Sequence, residues 1–163
     1  MFENSHLPIR LYQWLARFCS GFQSIFLLIL RIIWGYQFFI SGLDKLQDLD
    51  GFAKFLGELN IWAPQFHAYF VSIAEIVCGL LLLIGLLSRP AGLLLAIIMF
   101  TAYSTAHIHI FSFEIFRQPT IITMQKPFPF LITSLLVLFF GPGKFSFDHW
   151  ALYSVNQKSK YPY

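Results

Sequence analysis

The apolar run from Phe66 to Leu87, FHAYFVSIAEIVCGLLLLIGLL, decides the fold of this chain. About 20 mostly apolar residues are the length that one helix needs to cross a bilayer. A single acid, Glu75, interrupts the run, and a carboxylate in hydrocarbon usually faces protein and has a partner there. The predicted partner is Arg31, the only charge in the other long apolar run, Phe22 to Leu43. Arg31 precedes Leu43 by twelve residues and Glu75 follows Phe66 by nine, so both charges lie roughly 14–18 Å from the outer face of the membrane and we expect an ion pair near the midplane.

The composition excludes an ordinary soluble protein. Of 163 residues, 57% are hydrophobic and only 12% are charged, and the mean hydropathy is +0.65. Soluble domains carry about 25% charged residues. The net charge is +3, but the sequence contains no run of basic residues of the kind that nucleic-acid binding needs. The composition therefore indicates an integral membrane protein whose partner is the lipid bilayer and not a nucleic acid.

The apolar pattern predicts an all-α fold: one domain, residues 1–163, forming a four-helix transmembrane bundle with short interfacial helices. The predicted spans are residues 22–43, 66–87, 91–111 and 121–141. The fourth is short in apolar residues, and a re-entrant segment is the rival interpretation. The interfacial helices are predicted at Ile9–Phe18 and around Phe52–Leu59. Small residues at which another helix can approach closely include Gly35, Ser41 and Gly42 in the first span and Gly92 in the third.

The orientation follows from the distribution of lysine and arginine near the ends of the spans. With four spans, one side collects Arg10, Arg17, Arg89, Lys144, Lys158 and Lys160. The other side collects Lys45, Lys54, Arg117 and Lys126. The excess on the first side favours a multi-pass protein with both termini in the cytoplasm.

Polar residues along the first three spans predict an outward-opening pocket. Lys45 follows Arg31 by fourteen residues, so on one helix it returns to nearly the same face. Together with Tyr103 and His107 of the third span, the two cations and Glu75 can form a polar track, in which Glu75 is the best candidate for a catalytic group. The alternative is that the charged pair only fixes helix register. His107 and His109 form a weaker candidate metal site, because two residues apart on a helix they point in different directions.

Three separated motifs resemble the DoxX family of small bacterial membrane proteins. They are RIIWGYQFFISGLDKL (Arg31–Leu46), AEIVCGLLLLIGLLSR (Ala74–Arg89) and GPGKFSFD (Gly141–Asp148). The resemblance implies a four-helix bundle in the bacterial cytoplasmic (inner) membrane, with Arg31, Lys45 and Glu75 at the family's charged positions. Some members of the family assemble with soluble redox or sulfur-transfer enzymes and others accompany copper-binding peptide systems, so the resemblance implies a partner of one of these kinds. The two cysteines, Cys19 and Cys78, form no CxxC motif, which argues against a dithiol relay.

Two functions are compatible with these residues. The first is an accessory subunit of a quinone- or sulfur-linked redox system, whose pocket holds a quinone or a similar amphiphile and whose Glu75 transfers protons. The second is a non-enzymatic scaffold or chaperone that recruits partner proteins. Metal or small-solute transport is a third, weaker interpretation, since four short spans leave room for a pore only in a homo-oligomer. No nucleophile or cofactor motif identifies a self-sufficient enzyme.

Overall fold

The computed structural model describes residues 7–106, 123, 125–148, 150 and 151. Within these residues the regular structure is helical. The helices whose bounds lie within these residues are α1 (Leu7–Gln47), α2 (Leu49–Glu58), α3 (Pro64–Ile84), α4 (Ser88–Ala106) and α5 (Pro127–Phe140). The all-α prediction is confirmed.

Four of the helices pack in a ring. Helix α1 packs along α3, α3 contacts α4, α4 packs along α5, and α5 returns to α1. The short helix α2 lies against α3 and buries Ala53 and Leu56 beside Ala68. The largest apolar core contains Phe38, Cys78, Leu82, Leu95 and Val137, so it draws on α1, α3, α4 and α5.

Two described segments are long and apolar enough to cross a membrane, Gly21–Gln47 within α1 and Pro64–Ile84, which is α3. Helix α5, at 14 residues, is a shorter apolar helix. A bundle in which all four helices cross the bilayer stays a prediction. The part of the predicted third span beyond Ala106, with His107 and His109, lies outside the described residues, as do residues 121, 122 and 124 of the fourth.

The predicted separate interfacial helix at Ile9–Phe18 is wrong, because these residues are the first turns of α1. That helix runs without interruption for 41 residues, about 62 Å at 1.5 Å per residue. No proline or helix-terminating glycine motif separates the two predicted segments, and Gly21 is accommodated within the helix. The second predicted amphipathic helix is confirmed as α2, whose start is capped by the Asp48 carboxylate accepting from the Gly51 N–H.

Candidate functional site

Small residues bring α1 and α3 close together and set their register. A methyl group added at Gly35 would lie 3.1 Å from the Gly79 carbonyl oxygen. One added at Gly42 would lie 2.7 Å from the Ser72 carbonyl oxygen. The two contacts are seven residues apart in each helix and run in opposite directions, as antiparallel packing requires. The predicted close approach at Gly35 and Gly42 is confirmed.

Glu75 lies on the face of α3 that this packing buries. Its side chain is 0% exposed. The Ser41 hydroxyl donates to Glu75 Oε2 at 3.0 Å, and the Lys45 ammonium forms an ion pair with Oε1. Ser41 and Lys45 are four residues apart, so they share one face of α1. The carboxylate thus has two donors from one neighbouring helix, which is what a buried charge requires.

Lys45 connects this cluster with the end of the bundle. The Lys45 side chain is 26% exposed, whereas the side chain of its partner Glu75 is fully buried. The ammonium also lies 5.4 Å from the centre of the Phe52 ring of α2, within cation–π range. The Ser41–Lys45–Glu75 cluster therefore runs from a buried carboxylate to a partly exposed cation.

The predicted ion pair between Arg31 and Glu75 is wrong. The α1–α3 register puts Arg31 level with Leu83, eight residues or about 12 Å along α3 from Glu75. The guanidinium is 1% exposed and donates to backbone carbonyls. Nε bonds Leu82 O at 2.9 Å, Nη1 bonds Pro142 O at 2.6 Å and Phe145 O at 3.2 Å, and Nη2 reaches Leu83 O at 3.5 Å.

These contacts make Arg31 a cap for the end of α3. The last carbonyls of a helix lack intrahelical partners. Gly85, in the left-handed region at φ +79°, donates its N–H to Leu81 O, and Arg31 supplies donors to the next two carbonyls. The cation also complements the negative end of the helix dipole. A side chain at Gly85 would collide with the guanidinium, so this glycine keeps the space that Arg31 occupies.

The segment after α5 closes the same end of the bundle. Asp148 accepts from the Leu87 N–H at 2.8 Å and from the Ser88 N–H at 2.9 Å, with one carboxylate oxygen for each. Its own N–H donates to Gly85 O at 3.0 Å. The carboxylate therefore caps the start of α4, just as Arg31 caps the end of α3.

The sequence model of the DoxX family matches residues 26–108. The chain belongs to the DoxX family. The resemblance drawn from the three motifs is thereby confirmed. The matched range includes Arg31, Lys45, Glu75 and Tyr103 and ends before the Gly141–Asp148 motif.

Three curated relatives show what this DoxX protein is similar to. CatD of Bacillus subtilis, whose name marks it as a proposed oxidoreductase, is 37% identical over 78 residues, 48% of this chain and 57% of CatD. The inner membrane protein YphA of Escherichia coli is 27% identical over 129 residues, 77% of this chain and 90% of YphA. An uncharacterized protein of Haemophilus influenzae is 27% identical over 129 residues, 77% of this chain and 82% of the relative. No solved structure matches the chain.

The family and the inner-membrane relative make this DoxX protein a bacterial membrane protein. Of the predicted pocket residues, the structure brings Lys45 and Glu75 together and puts Arg31 at the other end of α3. Tyr103 is buried in α4, 6% exposed. His107 and His109 lie outside the described residues, so the histidine part of the pocket and the metal site stay predictions.

Two residues of functional interest escaped prediction. Ser41 was assigned only a packing role, although its spacing of four from Lys45 is a signal that both face the same neighbour. Asp148 appears in the sequence only as the end of the Gly141–Asp148 motif, with no side-chain partner indicated. Its partners are backbone N–H groups some 60 residues earlier in the chain, which no side-chain pattern reveals.

Proposed function

We propose that this DoxX protein is an accessory membrane subunit of a redox system, with the Ser41–Lys45–Glu75 cluster as its functional site. The observation that carries the proposal is a fully buried carboxylate held by a partly exposed lysine. Intramembrane ionisable residues of this kind mark proton and substrate pathways. The oxidoreductase name of CatD supports the redox setting.

The proposed ligand is a quinone or a similar amphiphile, and electrons come from a soluble redox or sulfur-transfer partner. Reduction of a quinone consumes two electrons and two protons. In this scheme Lys45 donates a hydrogen bond to a ring carbonyl, while Glu75 takes up each of the two protons from water at the partly exposed Lys45 end and passes it to the reduced ring. Ser41 keeps the carboxylate oriented toward Lys45.

The proposed topology is multi-pass, with both termini in the cytoplasm. Arg89 lies beside Gly141, so it shares one end of the bundle with Lys144, and that end is assigned to the cytoplasm. The Lys45 end then opens to the exterior. A homo-oligomer is compatible with this arrangement, because apolar residues cover the outer faces of α1 and α3.

The test is quinone content and binding in mild detergent. Wild-type protein is expected to retain quinone through purification and to bind decylubiquinone. Lys45→Met removes the donor and Glu75→Gln removes the charge, so each is expected to weaken binding about tenfold, which corresponds to 1.4 kcal/mol. Glu75→Gln is also expected to abolish quinone-linked turnover in membranes that contain the partner enzyme.

Lys54→Met and Glu58→Gln are matched controls, since both residues are exposed on α2. They are expected to bind quinone like the wild type. Full quinone-linked turnover by a folded Glu75→Gln protein would remove Glu75 from the mechanism. If the Lys45→Met and Glu75→Gln proteins both bound quinone as tightly as the wild type, the Ser41–Lys45–Glu75 cluster would not be the quinone site.

A non-enzymatic scaffold is the second candidate. The observation that favours it is that the described side-chain hydrogen bonds of Glu75 all come from α1. A Lys45–Glu75 ion pair that only holds α1 and α3 together would make the same contacts. In that case the two substitutions lower the yield of folded protein, and the wild type retains no quinone.

A further inference from the structure

An open groove of about 460 Å³ lies beside Arg31, at the opposite end of α3 from the site proposed for quinone. Leu28 and Arg31 of α1 form one wall, and Leu83 and Ile84 of α3 form another. Phe145, Phe147 and Trp150, from the segment after α5, complete it. The lining side chains are apolar except for those of Arg31 and Ser146. The volume falls in the range of pockets that hold small ligands.

The cation in this groove forms no ion pair with a described carboxylate, although the charge of Asp148 acts on it at longer range. Arg31 donates only to carbonyls, and the ion pair of the described chain is Lys45–Glu75. These bonds use four of the five N–H groups of a guanidinium. Both oxygens of the nearby Asp148 carboxylate accept from backbone N–H groups. A ligand oxygen that carries negative charge would complement this end of the bundle.

The end of the bundle that holds the groove carries further positive charge and exposed aromatic rings, and its exposed cations Lys144 and Arg89 are called the rim residues below. Lys144 is exposed and directly precedes Phe145. Arg89 is exposed, and its guanidinium lies beside Gly141. Phe147 and Trp150 keep 56% and 68% of their surfaces exposed. Aromatic and basic residues in this combination occur at the headgroup level of membrane proteins.

We propose that the groove binds one anionic phospholipid. Its phosphate lies toward the exposed rim residues Lys144 and Arg89, and one acyl chain follows Leu28, Leu83 and Ile84. A lipid is the occupant because Ile84, half exposed on the membrane-capable helix α3, opens the groove to the side where acyl chains lie. This inference is independent of the function proposed for Glu75.

The test is native mass spectrometry of the purified protein with defined lipids. Palmitoyl-oleoyl phosphatidylglycerol is expected to stay bound at one copy per chain, and phosphatidylcholine with the same acyl chains is not. Inorganic phosphate is expected not to displace the lipid, because it cannot use the apolar walls. Displacement by phosphate alone would overturn the lipid assignment.

Variants locate the lipid. Arg89→Gln with Lys144→Gln removes two exposed charges and is expected to weaken phosphatidylglycerol binding about tenfold, while Leu28→Trp fills the groove and is expected to abolish it. Lys54→Gln with Lys126→Gln removes two exposed charges away from the groove and is the matched control. Equal loss in the rim and control variants, or equal binding of the two lipids, would overturn the proposal. Because the rim residues are exposed, these two variants give a result even if Leu28→Trp fails to fold.

Discussion

Arg31 shows how one side chain can replace partners that the backbone lacks. Its donors reach Leu82 and Leu83 at the end of α3, and also Pro142 and Phe145 in the segment after α5. A buried carbonyl left unsatisfied costs about 1–3 kcal/mol. Lysine carries three donors on one atom and cannot reach groups spread around a planar fork. Only arginine can donate to all four carbonyls from this position, and the primary role of Arg31 is therefore to stabilise the fold.

At the Ser41–Lys45–Glu75 cluster, we expect charge reversal to separate folding from function. Lys45→Glu or Glu75→Lys alone leaves two like charges at a buried site, and loss of one partner there costs about 3–5 kcal/mol. The double variant restores opposite charges and is expected to recover part of the thermal stability, measured as the melting temperature in detergent. If the cluster binds quinone, the double variant folds but fails to retain it.

The matched control is Lys54→Glu with Glu58→Lys, an exposed pair four residues apart on α2. Exposed pairs contribute about 0.3–0.5 kcal/mol, so these changes are expected to leave the melting temperature nearly unchanged. Single Lys45 and Glu75 variants that melt like the wild type would contradict a buried ion pair.

At the scale of the helix pair, a graded alanine series tests the glycine contacts between α1 and α3. A methyl group at Gly42 or Gly79 would lie 2.7–2.8 Å from backbone oxygen, whereas at Gly35 the nearest atoms are 3.1 Å away. Gly42→Ala and Gly79→Ala are therefore expected to lower the melting temperature most, with Gly35→Ala between them and the wild type. At Gly21 a methyl group meets nothing within 4 Å.

Gly21→Ala is the control, and it is expected to stabilise α1 by up to about 1 kcal/mol, since alanine favours helix more than glycine does. A series in which all four substitutions have equal effects would contradict the close contact. The measurement is thermal unfolding of each variant in the same detergent.

The axial offset between α1 and α3 is the feature that the sequence left undetermined. The spacing of small and polar residues identified which face of α1 packs on α3, and Gly35 and Gly42 correctly marked where the two helices come close. The predicted depth of Arg31 assumed that the apolar runs start and end together, at Leu43 and Phe66. Instead the contacts of Gly35 with Gly79 and of Gly42 with Ser72 put Leu43 level with Val71, five residues along α3 from Phe66. The matching spacing of Gly35–Gly42 and Ser72–Gly79 held the missing information.

At the scale of the whole molecule, the segment after α5 joins parts of the chain that are distant in sequence. Gly143 packs against Ser24 of α1, Pro142 and Phe145 accept from Arg31, and Asp148 binds the turn between α3 and α4. The GPGKFSFD motif is one of the three on which the family resemblance rests, and it lies beyond the matched residues 26–108. Its role as a clamp was not predictable, because most of its contacts use backbone atoms.

This clamp yields a prediction about local stability. Leu87 has a positive φ of 48°, a conformation that costs free energy in a non-glycine residue and persists only when its surroundings hold it. Asp148→Ala removes the acceptor of the Leu87 and Ser88 N–H groups, a loss of about 0.5–2 kcal/mol for a helix cap. Hydrogen exchange at these two amides is therefore expected to rise about 2- to 30-fold.

Asp44→Ala is the control for the clamp, because Asp44 is exposed near the end of α1, and exchange at Leu87 and Ser88 is expected to stay at the wild-type rate. Asp148→Asn keeps one acceptor oxygen and is expected to fall between wild type and Asp148→Ala. If the segment after α5 were only an appendage, neither Asp148 variant would alter exchange at a turn some 60 residues away. Faster exchange confined to that turn, with α1 and the Glu75 region of α3 unchanged, would show that the clamp stabilises one end of the bundle independently of the Lys45–Glu75 end.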